Sequence, residues 1–435
     1  MNQLIPSLTS LLVPIATAFH PEVFPMFCLM TTAWMVCTGR RTISRVWETT
    51  GQTHERHHAA AFRLYSQAAW NWDEVMRLHL VQLLKVFIPG TRVWVVLDDT
   101  LCHKRGAKVA FGGIFLDAVL SSRRHKIFRY GNNWVLMGLI VLLPFRGDRP
   151  FCIPLLWRIF EKQGSKSKKE HKTKNKLAAE MVQILASWLP EHEIVVVADS
   201  AYIGKILVQD RPNNVQFIGP ICWKAALSKV LDDAAMGNQR FPNPRAILAD
   251  DQQWVPQVRC FKFSNGTQRR LEVKSLVACW KTVTGNTPVK VLLLRDPKGE
   301  WRDEALVSTA VQVSDWEMVY GYCKRWSVEV AIADAKGMLG FHDPCVWKKE
   351  SVERAAPMAW YTGMLVILWY TLHGSSHKAA QRHRPWYPKA IITFSDMLSC
   401  LRLALWQNWW ANRSDKNPAN MAPEEWVLEY LATSA

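Results

Sequence analysis

The stretch RVWVVLD (92–98) predicts a buried strand that ends in an acid, and IVVVAD (194–199) repeats this pattern further along the chain. Between the two lie apolar runs typical of strands and one amphipathic segment with helical periodicity: NWVLMGLIVLLPF (133–145), FCIPLLW (151–157) and KNKLAAEMVQILASWL (174–189). Strands that enclose a helix in this order predict a mixed sheet of the α/β class.

The segments outside this sheet differ from it in their pattern of apolar and turn residues, and this predicts further divisions of the chain. Residues 1–88 have helix-period apolar positions and no β-branched runs, which predicts a helical domain. The first part of the core would then span 89–221. Short alternating runs punctuated by Asn265-Gly266 and Gly285-Asn286 predict a β-rich insertion at 222–305, because both dipeptides supply the positive φ of hairpin turns. A core helix is expected within 306–345 and a helical region over 346–435.

Composition limits the possible functions. The 435 residues include 54 Lys and Arg against 37 Asp and Glu, which gives a formal net charge of +17, and 49% are apolar. This is a folded protein whose charge favours a polyanionic partner, nucleic acid above all, although simple solubility charge is the alternative. Ten dispersed cysteines without a CxxC pair argue against a zinc ribbon or disulfide scaffold. They fit a reducing cytoplasm.

One uncharged stretch, residues 355–372, reaches the length at which a membrane-spanning helix must be considered. Pro357, Gly363 and two tyrosines interrupt it, and charged soluble segments flank it. We therefore expect a helix buried inside the protein and no membrane partner. The N-terminus lacks the basic residues of a secretory signal.

Acids follow both buried strands, Asp98 and Asp99 after the first and Asp199 after the second. Side chains at strand ends emerge into sites that rigid backbone holds in place, so acids on neighbouring strands could share metal ions. A turn or a helix cap is the alternative explanation for each acid taken alone.

A third acid comes from a predicted helix over 314–340, which begins at Ser314 with Glu317 as a capping box. Tyr322, Arg325, Glu329 and Lys336 fall within roughly 60° of one another on a helical wheel. A carboxylate between cations suits the binding of metal and phosphate together. The alternative is a solvated face with an Arg325–Glu329 ion pair.

The spacing Tyr322-x2-Arg325-x3-Glu329-x6-Lys336 resembles the Y-x2-R-x3-E-x6-K signature of DDE transposases in the insertion-sequence-four superfamily. Asp98-Asp99-Thr100, followed by Lys104 and Gly106, resembles the D-D-T-x-x-x-K-x-G motif of the seven-hundred-one branch. The segment from Asp199 to Tyr202 resembles the second-acid motif of this family. Relatives also carry a β-rich insertion between the second and third acids.

The resemblance implies an RNase H-like catalytic core in which Asp98, Asp199 and Glu329 bind two Mg²⁺ ions, with Mn²⁺ as a substitute. It implies cleavage of DNA at the ends of an insertion sequence and strand transfer into target DNA. Sister branches align Asp98 as the first ligand, and Asp99 is the second choice. DNA phosphates would be contacted by four side chains, those of Tyr322, Arg325, Lys336 and Lys104.

The implied partners are double-stranded DNA with terminal inverted repeats, target DNA and a second copy of the chain in a synaptic homodimer. The N-terminal helices would recognise the repeats. In relatives a Trp of the β insertion stacks on a flipped base. The candidates here are Trp254, Trp280 and Trp301, for which burial within the insertion is the alternative.

Three basic segments, 123–129, 161–176 and 382–389, are either solvated loops or contacts to DNA phosphates. His54-Glu55-Arg56-His57-His58 satisfies the HExxH pattern of zinc peptidases, but its polar surroundings predict an exposed helix face instead.

Two further functional hypotheses stay open. One is an RNase H-like metal-dependent nuclease that cuts DNA without joining it, and the other is a domesticated, non-catalytic DNA-binding protein. Three intact acids count against the second hypothesis, since binding alone does not need carboxylates in a site that faces phosphate.

Overall fold

The structure is a computed structural model of the chain. It describes residues 4–163, 171–230, 240–252, 254–256, 261–262, 268–374, 391–414 and 431.

The N-terminal region is helical, as the sequence predicts. Its helices are α1 (Pro6–Leu12), α2 (Phe24–Val36), α3 (Ile43–Thr49), α4 (Ala59–Ser66) and α5 (Trp72–Phe87), with a 3-10 helix over Val13–Ala18. The side chain of Asn71 caps α5 by accepting a hydrogen bond from the Glu74 amide. The sequence 54–58 forms an exposed turn before α4, so the expectation of a helix face there is wrong.

The centre of the molecule is a mixed sheet, which confirms the predicted fold class. Its first strands are β1 (Arg92–His103), β2 (Gly113–Leu116), β3 (Phe128–Leu142), β4 (Pro150–Phe160), β5 (Glu193–Ala198) and β6 (Val215–Pro220). In space the order is β4-β3-β1-β5-β6; β1, β5 and β6 are parallel, and β3 runs antiparallel to both of its neighbours, β1 and β4. This is the strand order of an RNase H-like core. Helices α6 (Lys174–Trp188) and α7 (Lys205–Val208) flank β5 in the chain.

The β-rich insertion extends this sheet, apart from one small two-stranded sheet of its own. It contains β7 (Leu227–Ser228), β8 (Arg240–Phe241), α8 (Pro244–Ala249), β9 (Val255–Pro256), β10 (Phe261–Lys262), β11 (Gln268–Arg269), β12 (Glu272–Trp280) and β13 (Pro288–Arg295). Strand β14 (Glu304–Ser308) pairs with both β13 and β6, and so joins the insertion to the core. Gly285 lies between β12 and β13 with φ +61°, as predicted for a hairpin turn. Asn265-Gly266 lies outside the described residues.

The segment 314–340 forms two helices, α9 (Asp315–Lys324) and α10 (Ser327–Met338), where the sequence predicts one. Ser314 caps α9 by accepting the Glu317 amide, as expected, while the Glu317 carboxylate pairs with Arg92 on β1. Gly321 lets α9 lie against β1, because any side chain there would overlap the ring of Trp94. The C-terminal helices are α11 (Lys349–Ala355), α12 (Met358–His373) and α13 (Phe394–Ser414).

One continuous apolar core joins the N-terminal helices, the sheet and the C-terminal helices. Trp34 of α2 donates its indole N–H to the carbonyl of Leu339 at 2.9 Å, and the Arg41 amide donates to Asp343 at 2.8 Å. These bonds hold the N-terminal helices against the end of α10. The expected boundaries at 88/89, 221/222, 305/306 and 345/346 remain predictions.

Helix α12 is buried along almost its whole length, from Met358 to Tyr370. Its uncharged sequence therefore reflects packing on all sides within the protein. Across the described part of the chain, no helix combines the length and the apolar character needed to cross a bilayer.

Candidate active site

Asp98 and Asp199 are brought together by the parallel pairing of β1 and β5. Leu97 lies opposite Ala198 in the register, so the next residue on each chain is an aspartate. Residues opposite each other on parallel strands point to the same face of a sheet. The two acids therefore meet at the carboxyl end of β5, as the sequence predicts. The expectation that the first strand ends at Asp98 is wrong, because β1 continues to His103 in its pairing with β3.

Asp99 points to the opposite face of the sheet. Its carboxylate accepts hydrogen bonds from the Lys174 ammonium of α6 at 2.5 Å and from the Tyr202 hydroxyl at 3.1 Å. Tyr202 is 1% exposed and belongs to the loop that follows Asp199. The Asp99 carboxylate thus connects β1 with this loop. Asp98, on the other face, is the acid that Arg325 contacts, so the geometry favours Asp98 over Asp99 as the first ligand.

Glu329 reaches the same face as Asp98 through Arg325. The guanidinium of Arg325 lies 3.7 Å from Asp98 Oδ2 and 3.4 Å from Glu329 Oε1. Arg325 also interacts electrostatically with Asp199. The helix breaks at Arg325-Trp326, but Arg325 and Trp326 both keep right-handed helical backbone angles. The i,i+4 ion pair between Arg325 and Glu329 is therefore preserved.

Glu304, the first residue of β14, is a fourth acid of this site, and sequence reasoning misses it. It interacts with both Arg325 and Asp199. The reason is topological: β14 runs antiparallel to β6, so its first residue meets the carboxyl ends of β5 and β6. We call the carboxylates around Arg325 the acid cluster; its members are Asp98, Asp199, Glu304 and Glu329.

When ionised, the four carboxylates of the acid cluster carry more negative charge than the guanidinium of Arg325 balances. Burial adds to the free-energy cost of ionising them. Burial raises the pKa of Asp98 to about 6, against the opposing effects of the Asp99 amide and Arg325. Burial likewise raises the pKa values of Glu329 and Glu304, and the charge of Asp199 adds to both increases. Such a site would be stabilised by a further cation.

Tyr322 lies beside this cluster, with its ring centre 5.8 Å from the Arg325 guanidinium carbon. Burial raises its pKa to about 12, and the nearby charge of Glu304 contributes. The phenol therefore stays protonated at neutral pH and can donate a hydrogen bond. Of the predicted phosphate-binding residues, Tyr322 and Arg325 lie at the acid cluster.

Lys104 and Lys336 lie at a different place, which we call the histidine cluster: His103, Lys104, Asp117, Lys336 and His342. The Lys104 ammonium donates to the backbone carbonyls of His342 at 3.2 Å and Pro344 at 2.9 Å, so it anchors that loop. Lys336 is half-buried, and its charge interacts with Asp117 and lowers the pKa of His342.

Carboxylates are the ligands that Mg²⁺ prefers, so the donor set of the acid cluster fits this ion. Within the described ranges, however, no three His, Cys, Asp or Glu side chains are close enough together to hold a metal ion as they stand. The guanidinium of Arg325 occupies the space between Asp98 and Glu329 instead. In charge and donor chemistry the residues present fit a divalent cation.

The three candidate stacking tryptophans lie in different surroundings. Trp254 lies between two cations, 4.3 Å from the Arg295 guanidinium carbon and 5.0 Å from the Lys274 ammonium. Trp280 is 6% exposed, as the burial alternative expects. Trp301 is partly buried and packs against a small apolar cluster that Tyr322 also contacts.

The basic segments are only partly described. Residues 123–126 are exposed in the turn before β3, and 161–163 and 171–173 are described, whereas 164–170 and 382–389 lie outside the described residues. His57 and His58 have ring centres 4.2 Å apart, without a third metal ligand in the described part of the chain.

Comparison with known proteins gives one family. A family model described as "DDE superfamily endonuclease" matches residues 26–258, more than half of the chain. The match includes Asp98 and Asp199, while Glu304 and Glu329 lie beyond its end. No curated protein gives a significant match.

Proposed function

The chain belongs to the DDE superfamily of endonucleases, and from this premise we propose that it is a transposase that cuts and joins DNA at the acid cluster. The branch we infer is the insertion-sequence-four superfamily, because the tyrosine, arginine, glutamate and lysine of its signature keep their spacing at Tyr322, Arg325, Glu329 and Lys336.

One observation carries this proposal: acids from three separate elements of the chain surround a single guanidinium. Asp98 comes from β1, Asp199 from the end of β5 and Glu329 from α10. Burying several carboxylates against one cation is costly for stability. A binding-only protein would gain nothing from this cost, whereas a nuclease that loads cations would.

Asp98, Asp199 and Glu329 would hold the divalent ions, with Glu304 close by. When bound, Mg²⁺ supplies a Lewis acid for the phosphodiester and a means to activate the attacking water or 3′-hydroxyl. The acids must be ionised to bind Mg²⁺. The Arg325 guanidinium assists, because it opposes the rise that burial causes in the pKa values of Asp98 and Glu329.

Arg325 and Tyr322 would act on the substrate itself. A guanidinium can donate two parallel hydrogen bonds to phosphate oxygens, and the protonated phenol can donate a third. For this Arg325 must exchange its carboxylate partners for a phosphate, and cations at the acids would permit the exchange. We propose that Lys336 contacts a phosphate further along the strand.

The remaining parts of the proposal follow from the resemblance. The N-terminal helices would bind the terminal inverted repeats, and two copies of the chain would hold two ends together. The division into a DNA-binding region 1–88, a core and an insertion 222–305 is part of the same proposal.

The test is cleavage and joining in vitro, with a duplex taken from the DNA that flanks the gene. We expect wild-type protein to cut this duplex only with Mg²⁺ or Mn²⁺, and Glu329→Gln to reduce cutting by at least about 100-fold, since even partners behind metal ligands typically matter 10- to 100-fold. DNA binding in a chelator should be unchanged in this variant.

Glu317→Gln is the matched control, because Glu317 pairs with Arg92 away from the acid cluster. Cutting by Glu329→Gln at the wild-type rate would refute the site. Cutting without any joined product would favour the nuclease that does not transfer strands.

A further inference from the structure

The histidine cluster lies on the same two elements as the acid cluster, further along each. Glu329 and Lys336 are both on α10, about 10 Å apart along the helix axis and almost on one face. Asp98 and His103 are both on β1. A duplex rises 3.4 Å per base pair, so Glu329 and Lys336 are separated along α10 by about three base-pair steps.

The two imidazoles of this cluster are held in fixed orientations. Their ring centres are 4.8 Å apart and their planes differ by 5°. The backbone N–H of His103 donates to His342 Nδ1 at 3.0 Å, and His103 Nε2 bonds to Asp117 Oδ2 at 2.6 Å. Asp117 is fixed in turn by the amides of Val119 and Leu120, which donate to its other oxygen.

These bonds determine which ring nitrogen carries a proton. His342 Nδ1 accepts a hydrogen bond, so the proton of a neutral ring lies on Nε2. Burial lowers the pKa of His342 to about 3, and the charges of Lys336, His103 and Lys104 contribute, so this ring stays neutral. His342 therefore keeps an N–H to donate at any physiological pH.

His103 behaves differently because its partner is a carboxylate. Asp117 accepts from Nε2, which leaves Nδ1 with a lone pair when the ring is neutral and with an N–H when it is charged. No described residue bonds to Nδ1, and 41% of the side chain is exposed. Lys336 likewise has no hydrogen-bond or ion-pair partner among the described residues.

We propose that the histidine cluster binds a backbone phosphate of DNA, with donors from His103 Nδ1, His342 Nε2 and the Lys336 ammonium. This inference rests on the proposed function for its ligand and adds His103, Asp117 and His342 to the DNA-binding residues. Lys104 belongs to the cluster as the residue that holds the His342 loop. Only the charged form of His103 donates from Nδ1, so binding strengthens as pH falls.

The charged and titratable groups around His103 come from several elements. They are Asp117, which follows β2, Lys336 of α10, Lys104, which follows β1, and the neutral His342. A bound phosphate adds negative charge among three nitrogen donors and therefore favours the protonated state of His103.

The experiment measures the affinity for a short duplex of random sequence by fluorescence anisotropy, in a chelator, over a range of salt and at about pH 6 and pH 8. His103→Gln should bind about three-fold more weakly than wild type near pH 6, with a salt slope smaller by about 0.9, and should differ little near pH 8. His192→Gln is the matched control, because His192 precedes β5 at the end opposite Asp199.

Asp117→Asn separates DNA binding from a purely structural role. Its amide N–H would donate to His103 Nε2 and move the proton of the neutral ring to Nδ1. The variant should therefore bind at pH 8 as tightly as at pH 6, whereas a structural role would not change the pH profile.

Equal affinity, salt slope and pH profile of His103→Gln and wild type would overturn the inference. Cutting in Mg²⁺ is measured separately with wild-type protein. Wild type that cuts while His103→Gln binds normally refutes the histidine cluster alone, and wild type that never cuts while His103→Gln binds weakly refutes only the proposed chemistry.

Discussion

The acid cluster and the histidine cluster share strand β1 and helix α10, but their charges are opposite. In the acid cluster, carboxylates surround the single guanidinium of Arg325. In the histidine cluster, Lys104, Lys336 and two imidazoles outnumber the one carboxylate of the cluster, that of Asp117. A phosphodiester chain laid along β1 and α10 would meet a place for cations and then a place for its own negative charge.

The difference teaches that overall charge says little about local chemistry. The net charge of +17 attracts nucleic acid over a long range, but the centre proposed for cutting is acidic. Neighbouring sites of opposite sign are possible because β1 alternates its faces and α10 spans both sites. Each prediction below changes one site and leaves the other intact.

The largest effect should follow from Arg325→Ala, which removes the only guanidinium of the acid cluster. Breaking a buried ion pair typically lowers the free energy of unfolding by about 3 to 5 kcal/mol, and Arg325 is 16% exposed. Urea denaturation would measure this loss. Mg²⁺ should restore more stability in the variant than in wild type, because it replaces the missing cation.

Arg325→Lys keeps a positive charge and serves as the control for that variant. If Arg325→Ala unfolds at the wild-type urea concentration, with and without Mg²⁺, the acids do not depend on a cation.

Asp99→Ala should come next in size. It leaves the Tyr202 hydroxyl and the Lys174 ammonium without their carboxylate, and the unfolding free energy should fall by about 1 to 3 kcal/mol. Since Tyr202 belongs to the loop after Asp199, cutting should also slow by about 10- to 100-fold. Asp99→Asn, whose side-chain carbonyl still accepts a hydrogen bond from Tyr202, should lose less stability and less cutting activity than Asp99→Ala.

Complete loss of cutting in Asp99→Asn, together with normal stability, would instead make Asp99 the metal ligand. Asp98→Asn should in that case retain activity, which gives the reverse of the result expected here.

The two clusters should respond to pH in opposite directions. Burial raises the pKa of Asp98 to about 6 without metal, so the affinity for Mg²⁺ rises with pH and falls by up to about tenfold per unit below that value. DNA affinity measured in a chelator should instead fall as pH rises, through His103. Parallel titrations of Mg²⁺-dependent cutting and of DNA binding test this contrast, which fails if both profiles move together.

The smallest effects should come from Lys336 and Lys104, which the sequence predicts to be phosphate contacts alike. Their substitution should affect different properties of the protein. Lys336→Met should weaken DNA binding by about three-fold without lowering stability. Lys104→Met should lower the unfolding free energy by about 1 to 2 kcal/mol, because the carbonyls of His342 and Pro344 lose their donor. Thermal unfolding and anisotropy on both variants would show the difference, and identical behaviour would contradict it.

The sequence predicts those parts of the fold that depend on local pattern. Apolar runs locate β1 and β5 and the aspartates near them, although β1 continues beyond Asp98 to His103. The capping residue Ser314 locates the start of α9. The break at Arg325-Trp326 has no such signal, since neither a glycine nor a proline marks it. The histidines at 54–58 show the converse, a helix expected from pattern where the chain makes a turn.

Features that depend on pairing between distant segments could not be predicted. Glu304 joins the acid cluster only because β14 pairs with β6, and nothing in EALVS (304–308) indicates that partner. The histidine cluster likewise needs residues 103, 117 and 342 side by side. Residue 117 reaches this place because β2 and β1 both pair with β3, and residue 342 because α10 packs against β1. One sequence, read alone, places the motif acids but not their neighbours.

The order of the acids along the chain has a consequence for synthesis. Asp98 and Asp199 leave the ribosome well before β14 and α10, and Glu329 follows only after the whole insertion. At about 5 to 20 residues per second, the delay between the first and third acid is on the order of ten seconds. During that time a growing chain exposes its N-terminal part, including the basic segment 123–129, without a complete set of acids. Under the proposed function, the growing chain would therefore be able to bind DNA before it could cut it.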